Sequence, residues 1–415
     1  MSGEVGIPSA QDSAAENAAA RKNALLYAAC QSLNGAAAPI NIALGGIVGS
    51  YLLGVDKSLA TAPVTGFNVG VALGAIPAAM IMRRIGRRYG FMSGAVFGIL
   101  GLLLSATAIY MHSFILFCCG LALSGFSGAF TQQYRFAAAD RGTPEFKAKA
   151  ISWVLVGGIL AAIIGPQTVI WTSDLLSPIP FAGAFLSGTL LFLSSILVMT
   201  RLEASVPPRL EKGTVADTGR PLGQILRQPR FIVAAICGTS SYALMSFVMT
   251  AAPLAMIGCG YSQTQSTLGI QWHVLAMFGP SFFTGNLIAR FGKETIVAIG
   301  LVILVVCALV ALAGIDLVHF WGALILLGIG WNFGFIGATA MVTETYTHAE
   351  RGKAQGANDF ILFGTVAFAS LMSGQTLNHF GWQGINLIVF PIVALALVAL
   401  AWLVVDGRNA RKTVT

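Results

Sequence analysis

Twelve apolar runs, separated by short polar connections, dictate what this chain can become. They lie at about 24–54, 59–82, 91–111, 113–138, 150–171 and 181–200, then at about 231–257, 264–289, 294–314, 319–343, 355–376 and 383–405. A helix needs ~20 apolar residues to cross the hydrocarbon of a bilayer, and each run meets or approaches that length. Of 415 residues, 56% are hydrophobic and only 10% charged. A soluble domain carries about 25% charged residues. The expectation is an all-α integral membrane protein with twelve transmembrane helices.

The connection between the second and third runs, Ile81–Gly90, reads IMRRIGRRYG. Arg83, Arg84, Arg87 and Arg88 have no place in a bilayer core, so this stretch is a tight loop in water or at the headgroups. It returns, degraded, as IARFGK at Ile288–Lys293. Gly54 and Gly86 are 32 residues apart, and so are Gly260 and Gly292. Asp140-Arg141-Gly142 after the fourth run is echoed by Glu350-Arg351-Gly352 after the tenth. The runs therefore form two six-helix units in the same orientation, related by an axis along the membrane normal and enclosing one cavity.

An even number of crossings puts both termini on one side. Of the 24 Lys and Arg residues, all but Lys57 fall on that side, which makes it cytoplasmic under the positive-inside rule. The net charge of +8 is then a topology signal, with no nucleic-acid partner implied. The expected organisation is a tail at 1–23, a bundle at 24–201, a cytoplasmic linker at 202–229, a second bundle at 230–405 and a tail at 406–415.

The six cysteines stand within or at the ends of apolar runs without metal-ligand spacing, and read as small buried side chains. No phosphate-binding G-x-x-x-x-G-K-[ST] and no H-E-x-x-H occurs, and the loops are too short for a catalytic domain. The expectation is no enzyme, no cofactor and no metal, with any energy drawn from an ion gradient.

This layout resembles the major facilitator superfamily over essentially the whole chain. That family's loop between spans 2 and 3 typically reads G-x-x-x-D-R-x-G-R-R. Arg84-Ile85-Gly86-Arg87-Arg88 matches its second half, with Arg83 where the family has the acid. In the second copy Gly285 and Arg290-Phe291-Gly292-Lys293 match, with Ala289 for the acid. The resemblance implies that Arg84, Gly86, Arg87, Arg88, Arg290, Gly292 and Lys293 flank an inner gate. Gly165-Pro166 in span 5 resembles the end of a G-x-x-x-G-P motif of the family's drug/proton antiporters, or is a proline kink with close helix packing. The family lines its cavity with spans 1, 4, 7 and 10.

Polar stripes fall on the same four spans independently. They are Gln31, Asn34 and Asn41 in span 1; Gly125, Gly128, Gln132 and Arg135 in span 4; Thr239, Tyr242, Ser246 and Thr250 in span 7; and Gly328, Asn332, Phe335 and Thr339 in span 10. Residues three and four apart share a helix face, and a polar face has no partner in lipid, so these faces point inward. Arg135 is either an anchor for a substrate anion or a residue reaching the inner interface to pair with Asp140 or Glu344. Trp331 beside Asn332 offers a ring to stack on a planar ligand. His273 in span 8 is a candidate proton-coupling site or a neutral core histidine. Asp359 and Glu344 are proton sites or halves of a gate ion pair.

The resulting expectation is a secondary transporter of a small organic solute, anionic or aromatic, working by alternating access with proton coupling. Drug-type efflux and uncoupled facilitation are the alternatives. The expected setting is a monomer in the lipid bilayer of a bacterial inner membrane.

Overall fold

The computed structural model describes residues 10–140, 144–203, 219–347 and 349–412, and among them every element is an α-helix. Parts of the expected tails and linker, at 1–9, 204–218 and 413–415, lie outside the described residues. The first half contains α1 (Ala10–Asn34), α2 (Ala37–Leu52), α3 (Ala62–Tyr110), α4 (Phe114–Thr131), α5 (Tyr134–Ala138), α6 (Pro144–Thr172) and α7 (Ala182–Met199). A short α8 (Leu222–Leu226) precedes the second half. That half contains α9 (Pro229–Gly258), α10 (Gln263–Phe278), α11 (Ser281–Phe291), α12 (Lys293–Ala313), α13 (Leu317–Val342), α14 (Arg351–Leu387) and α15 (Val389–Lys412).

Among the described residues, nine helices are long and apolar enough to cross a membrane. Local backbone chemistry explains how they relate to the apolar runs. Two of the nine hold more than one run, at 49 and 56 residues. In α3 two helices abut within the arginine stretch, separated by the non-helical backbone of Gly86 (φ 83°, ψ 167°). In α14 two helices likewise abut at the non-helical Gly381 (φ 65°, ψ −169°) before α15. The run at 264–289 is instead cut into α10 and α11 at Gly279–Pro280, because Pro280 has no amide hydrogen to continue the ladder. The first run also breaks, at Gly35–Ala36 just ahead of Pro39. The N-terminal segment differs from the expected tail: α1 begins at Ala10. Its sequence, AQDSAAENAAARKNALL, is rich in alanine, the strongest helix former.

Buried apolar residues form two clusters. One runs from Ala24 to Leu202, the other from Ile225 to Leu400, with Ala43 and Ala162 of the first half packed into it. Each half thus has its own core. The halves meet where α3 packs on α14, α6 on α10, and α2 on α9 and α10. The outer faces carry large apolar side chains such as Leu73, Ile76, Val318 and Phe360, the last 82% exposed. Such a surface is unfavourable in water and suits lipid.

Candidate functional site

A cavity of about 220 Å³ lies between the halves. Spans 1, 4 and 7 line it as the stripes require, through Gln31, Asn34, Gln132, Arg135, Tyr242 and Ser246. Two breaks aim the first four. Asn34 ends α1 immediately before the Gly35–Ala36 turn, and Gln132 and Gln133 form the turn between α4 and α5. The segment after that turn is fixed by Tyr134. Its ring is buried against Tyr27 and Phe91, and Asn34 Nδ2 donates to its hydroxyl at 2.7 Å. Tyr134 therefore turns inward to the half's own core while Gln132 and Arg135 stand exposed on either side of it. α6 runs through Gly165 and Pro166 as one helix. A side chain at Gly165 would lie 2.6 Å from the Ala36 carbonyl oxygen, so this glycine lets α6 approach the break in span 1.

Span 10 behaves differently from the stripe reading. No residue of α13 lines the cavity. Asn332 is fully buried and faces the break in span 8. Its amide donates to the Met277 carbonyl and to Ser281 Oγ, each at 2.7 Å, and accepts from Thr284 Oγ1 at 2.6 Å. Breaking α10 from α11 strands backbone carbonyls, and Asn332 supplies the missing donor. Trp331 is also buried. It stacks on Phe335 at 5.1 Å, and both rings meet Tyr242 edge-on at 5.4 and 5.1 Å. Trp331 thus positions Tyr242, which itself reaches the cavity. Asn41 is buried too, donating to Ser124 Oγ at 2.8 Å. These three residues support the site without lining it.

The proton candidates separate in the same way. His273 is fully buried, with Nδ1 2.8 Å from the Leu324 carbonyl oxygen, and does not line the cavity. Glu344 is bound by Lys293 and by Arg230, the latter at 2.5 Å. Burial pushes its carboxyl up, but the hydrogen bond from Lys293 and the nearby Arg230 outweigh that and hold it below the ordinary carboxylate value. Asp359 lies on α14, one turn from the cavity-lining Phe363, within electrostatic reach of Arg135.

At the arginine-loop end, the ion pairs among the described residues lie within one half or join the linker to the second half. Arg87 grips Asp140 with two hydrogen bonds, at 2.9 and 3.1 Å, and Arg88 donates to the Leu202 carbonyl at 3.3 Å. Lys293 joins Glu344, and Arg230 bridges Glu344 to Glu294. Arg290 lies over the ring of Phe291, at 5.2 Å. Gly86 and Gly292 occupy matching positions in the two copies with matching backbones, φ 83° and 87°. Arg220, from the end of the linker, clamps the buried carboxylate of Glu350 at 2.7 and 2.8 Å. That guanidinium, with the Thr347 amide, holds the Glu350 carboxyl far below the usual range. Both acids considered as partners for Arg135 are thereby taken. Among the described residues Arg135 forms no ion pair within 4 Å; its guanidinium lies over the ring of Phe136, 4.8 Å away, within electrostatic reach of Asp359.

The Major Facilitator Superfamily profile matches residues 23–361 and 272–415. Riboflavin transporter RfnT of Brucella anthropi is 56% identical over 384 residues, covering 92% of this chain and 96% of its own. The MFS-type transporter YddS of Bacillus subtilis is 27% identical over 386 residues, 90% of this chain and 88% of its own. The crystal structure of nucleoside transporter NupG matches with a TM-score of 0.66 at 13% identity, covering 91% of this chain and 98% of that one. At that identity the likeness is one of fold alone.

Proposed function

The chain belongs to the major facilitator superfamily, and from that premise we propose that its solute is riboflavin, moved by alternating access. It is a multi-pass membrane transporter of a small organic molecule and not an enzyme. The observation that carries the flavin reading is the 56% identity to RfnT over nearly the full length of both chains. The cavity's chemistry supports it. A flavin has a planar aromatic ring system with one apolar end and one edge of hydrogen-bonding atoms. Tyr242, Phe278 and Phe363 offer rings, and Gln31, Gln132 and Arg135 offer polar atoms, in one space between the halves.

In this reading the chain crosses the plasma membrane twelve times as a monomer, with both termini and the arginine loops cytoplasmic. The two halves rock about the cavity. Protons drive the cycle through Asp359, one turn from the cavity-lining Phe363, which among the described residues no basic side chain engages within ion-pair distance. His273 sets Nδ1 against the Leu324 carbonyl away from the cavity, and Glu344 is engaged by Lys293 and Arg230, so this reading assigns the coupling to neither.

The test is flux of riboflavin into liposomes holding the purified protein, with and without a proton gradient. Saturable flux accelerated by the gradient is expected, with the acceleration lost and counterflow kept in Asp359→Asn. Saturable flux indifferent to the gradient would replace coupling by facilitation. Absence of both binding and flux would overturn the flavin reading.

A further inference from the structure

The cavity wall is chemically divided. Every amide and guanidinium that lines it, from Gln31, Asn34, Asn68, Gln132 and Arg135, belongs to the first half. The second half contributes Met245, Met249, Met277, Phe278 and Phe363, with Tyr242 and Ser246 as its polar groups. A planar solute with one polar edge therefore meets two unlike walls, and only one orientation satisfies both.

We propose, resting on the flavin reading, that the first half reads the pyrimidinedione edge of the flavin and that Arg135 does so by donating to N1 and the C2 carbonyl. The second half takes the dimethylbenzene end. Arg135 lines the cavity and carries only donors, and among the described residues no carboxylate is bound to it within ion-pair distance. N1 and the C2 oxygen of a flavin are adjacent acceptors related as the two oxygens of a carboxylate are. The planar fork of a guanidinium matches that spacing with two parallel hydrogen bonds, which an ammonium cannot do. The ribityl hydroxyls both donate and accept, so a donor-only group gains no selectivity from them. At the other end, thioethers and aromatic edges pack on a methylated ring without demanding a hydrogen bond. The neutral flavin needs no counter-charge, so Asp359 stays free for protons.

Binding of riboflavin, 1-deazariboflavin and 7,8-didemethylriboflavin to the purified protein, read by quenching of flavin fluorescence, tests this. The 1-deaza analogue replaces the N1 acceptor by C–H; the didemethyl analogue removes both ring methyls. The unaltered protein should prefer riboflavin to each by at least about tenfold, since a site built to pair a polar atom penalises its loss. In Arg135→Met the first preference should fall to within about twofold while the second survives. Arg135→Lys should fall between, which guards against a variant that fails to fold. If Arg135→Met or Arg135→Lys keeps the full preference against the 1-deaza analogue, or if the unaltered protein shows none, the assignment of Arg135 is overturned. If both preferences fall together, Arg135 merely shapes the site and the assignment is likewise overturned. An unaltered protein that binds no flavin would instead remove the flavin reading on which this rests.

Discussion

At the scale of single residues, polar side chains in this protein divide into those that line the cavity and those that repair the helices around it. Asn332 belongs to the second group. Replacing it by Leu would leave the Met277 carbonyl, Ser281 and Thr284 without their amide partner. A buried group left unsatisfied costs about 1–3 kcal/mol. Asn332→Leu should therefore lower the melting temperature in detergent while flavin affinity in the folded fraction stays within a few-fold; a large selective loss of affinity would return Asn332 to the site. Glu350 is a residue whose contribution depends on pH. Its carboxyl titrates lower in the folded chain than an ordinary glutamate does at about 4.3. The unfolded chain therefore binds the proton first, and the stabilisation is complete above the unfolded value and fades as pH falls below it. A melting-temperature deficit of Glu350→Gln should be full at pH 7 and shrink between about pH 5 and pH 3; a deficit independent of pH would show that the Arg220 clamp acts through shape alone. Gln31, Asn34, Gln132 and Arg135 were legible from the sequence as a face, because helical spacing fixes which residues share one. The turning away of Asn332, Trp331 and Asn41 was not legible, because it depends on which neighbour breaks its helix. Tyr134 shows the same limit, since its burial against Tyr27 and Phe91 joins residues far apart in the chain.

At the scale of elements, the apolar runs foretell where the helices lie because hydrocarbon length is a property of each segment alone. They do not foretell how helices join. The arginine stretch reads as a loop between two helices, and the break there is as tight as a loop can be: the helical backbone is interrupted at Gly86 alone. Its counterpart at Gly292 separates α11 from α12 with nearly the same angles, φ 87° and ψ 156°. The repeat visible as paired glycines is thus a repeat of one backbone shape, in a region of φ and ψ essentially reserved for glycine. At Gly292 an added Cβ would meet only Glu294 Oε2, at 3.9 Å. Any cost of Gly292→Ala is consequently conformational and not steric. The expected loss is about 1–3 kcal/mol of stability, read as a lower melting temperature in detergent, with the Lys293–Glu344 pair disturbed alongside. An unchanged melting temperature would mean that the junction relaxes to an ordinary turn.

At the scale of the whole molecule, the hydrogen bonds between the halves show at which end the halves are held together. Among the described residues they lie away from the arginine loops. Gly374 N donates to Thr61 Oγ1 at 3.1 Å, Gln263 donates to Ser173 at 2.8 Å, and Gln167 donates to Gln271 at 2.9 Å. Among the described residues, the ion pairs at the arginine-loop end lie within one half or join the linker to the second half. The halves are therefore clasped at the end opposite the arginines, and any cycle must release that clasp. Gly374 is its tightest point. A side chain there would place Cβ 2.4 Å from Thr61 Oγ1, and Thr61 is itself fully buried. Gly374→Val should therefore hold α3 and α14 apart at that end while leaving the core of each half intact. With the native cysteines replaced and Gln132→Cys as an exposed reporter lining the cavity, a membrane-impermeant thiol reagent should reach the parent protein chiefly from the arginine-loop side. In the Gly374→Val variant it should reach the reporter from the opposite side as well. Flavin flux should fall at least about tenfold with the melting temperature little changed, because a transporter that cannot close one end cannot complete its cycle. Labelling unchanged from both sides, with flux intact, would show that the clasp yields to a valine and that closure at this end is carried by α2 against α9 and α10 and by α6 against α10.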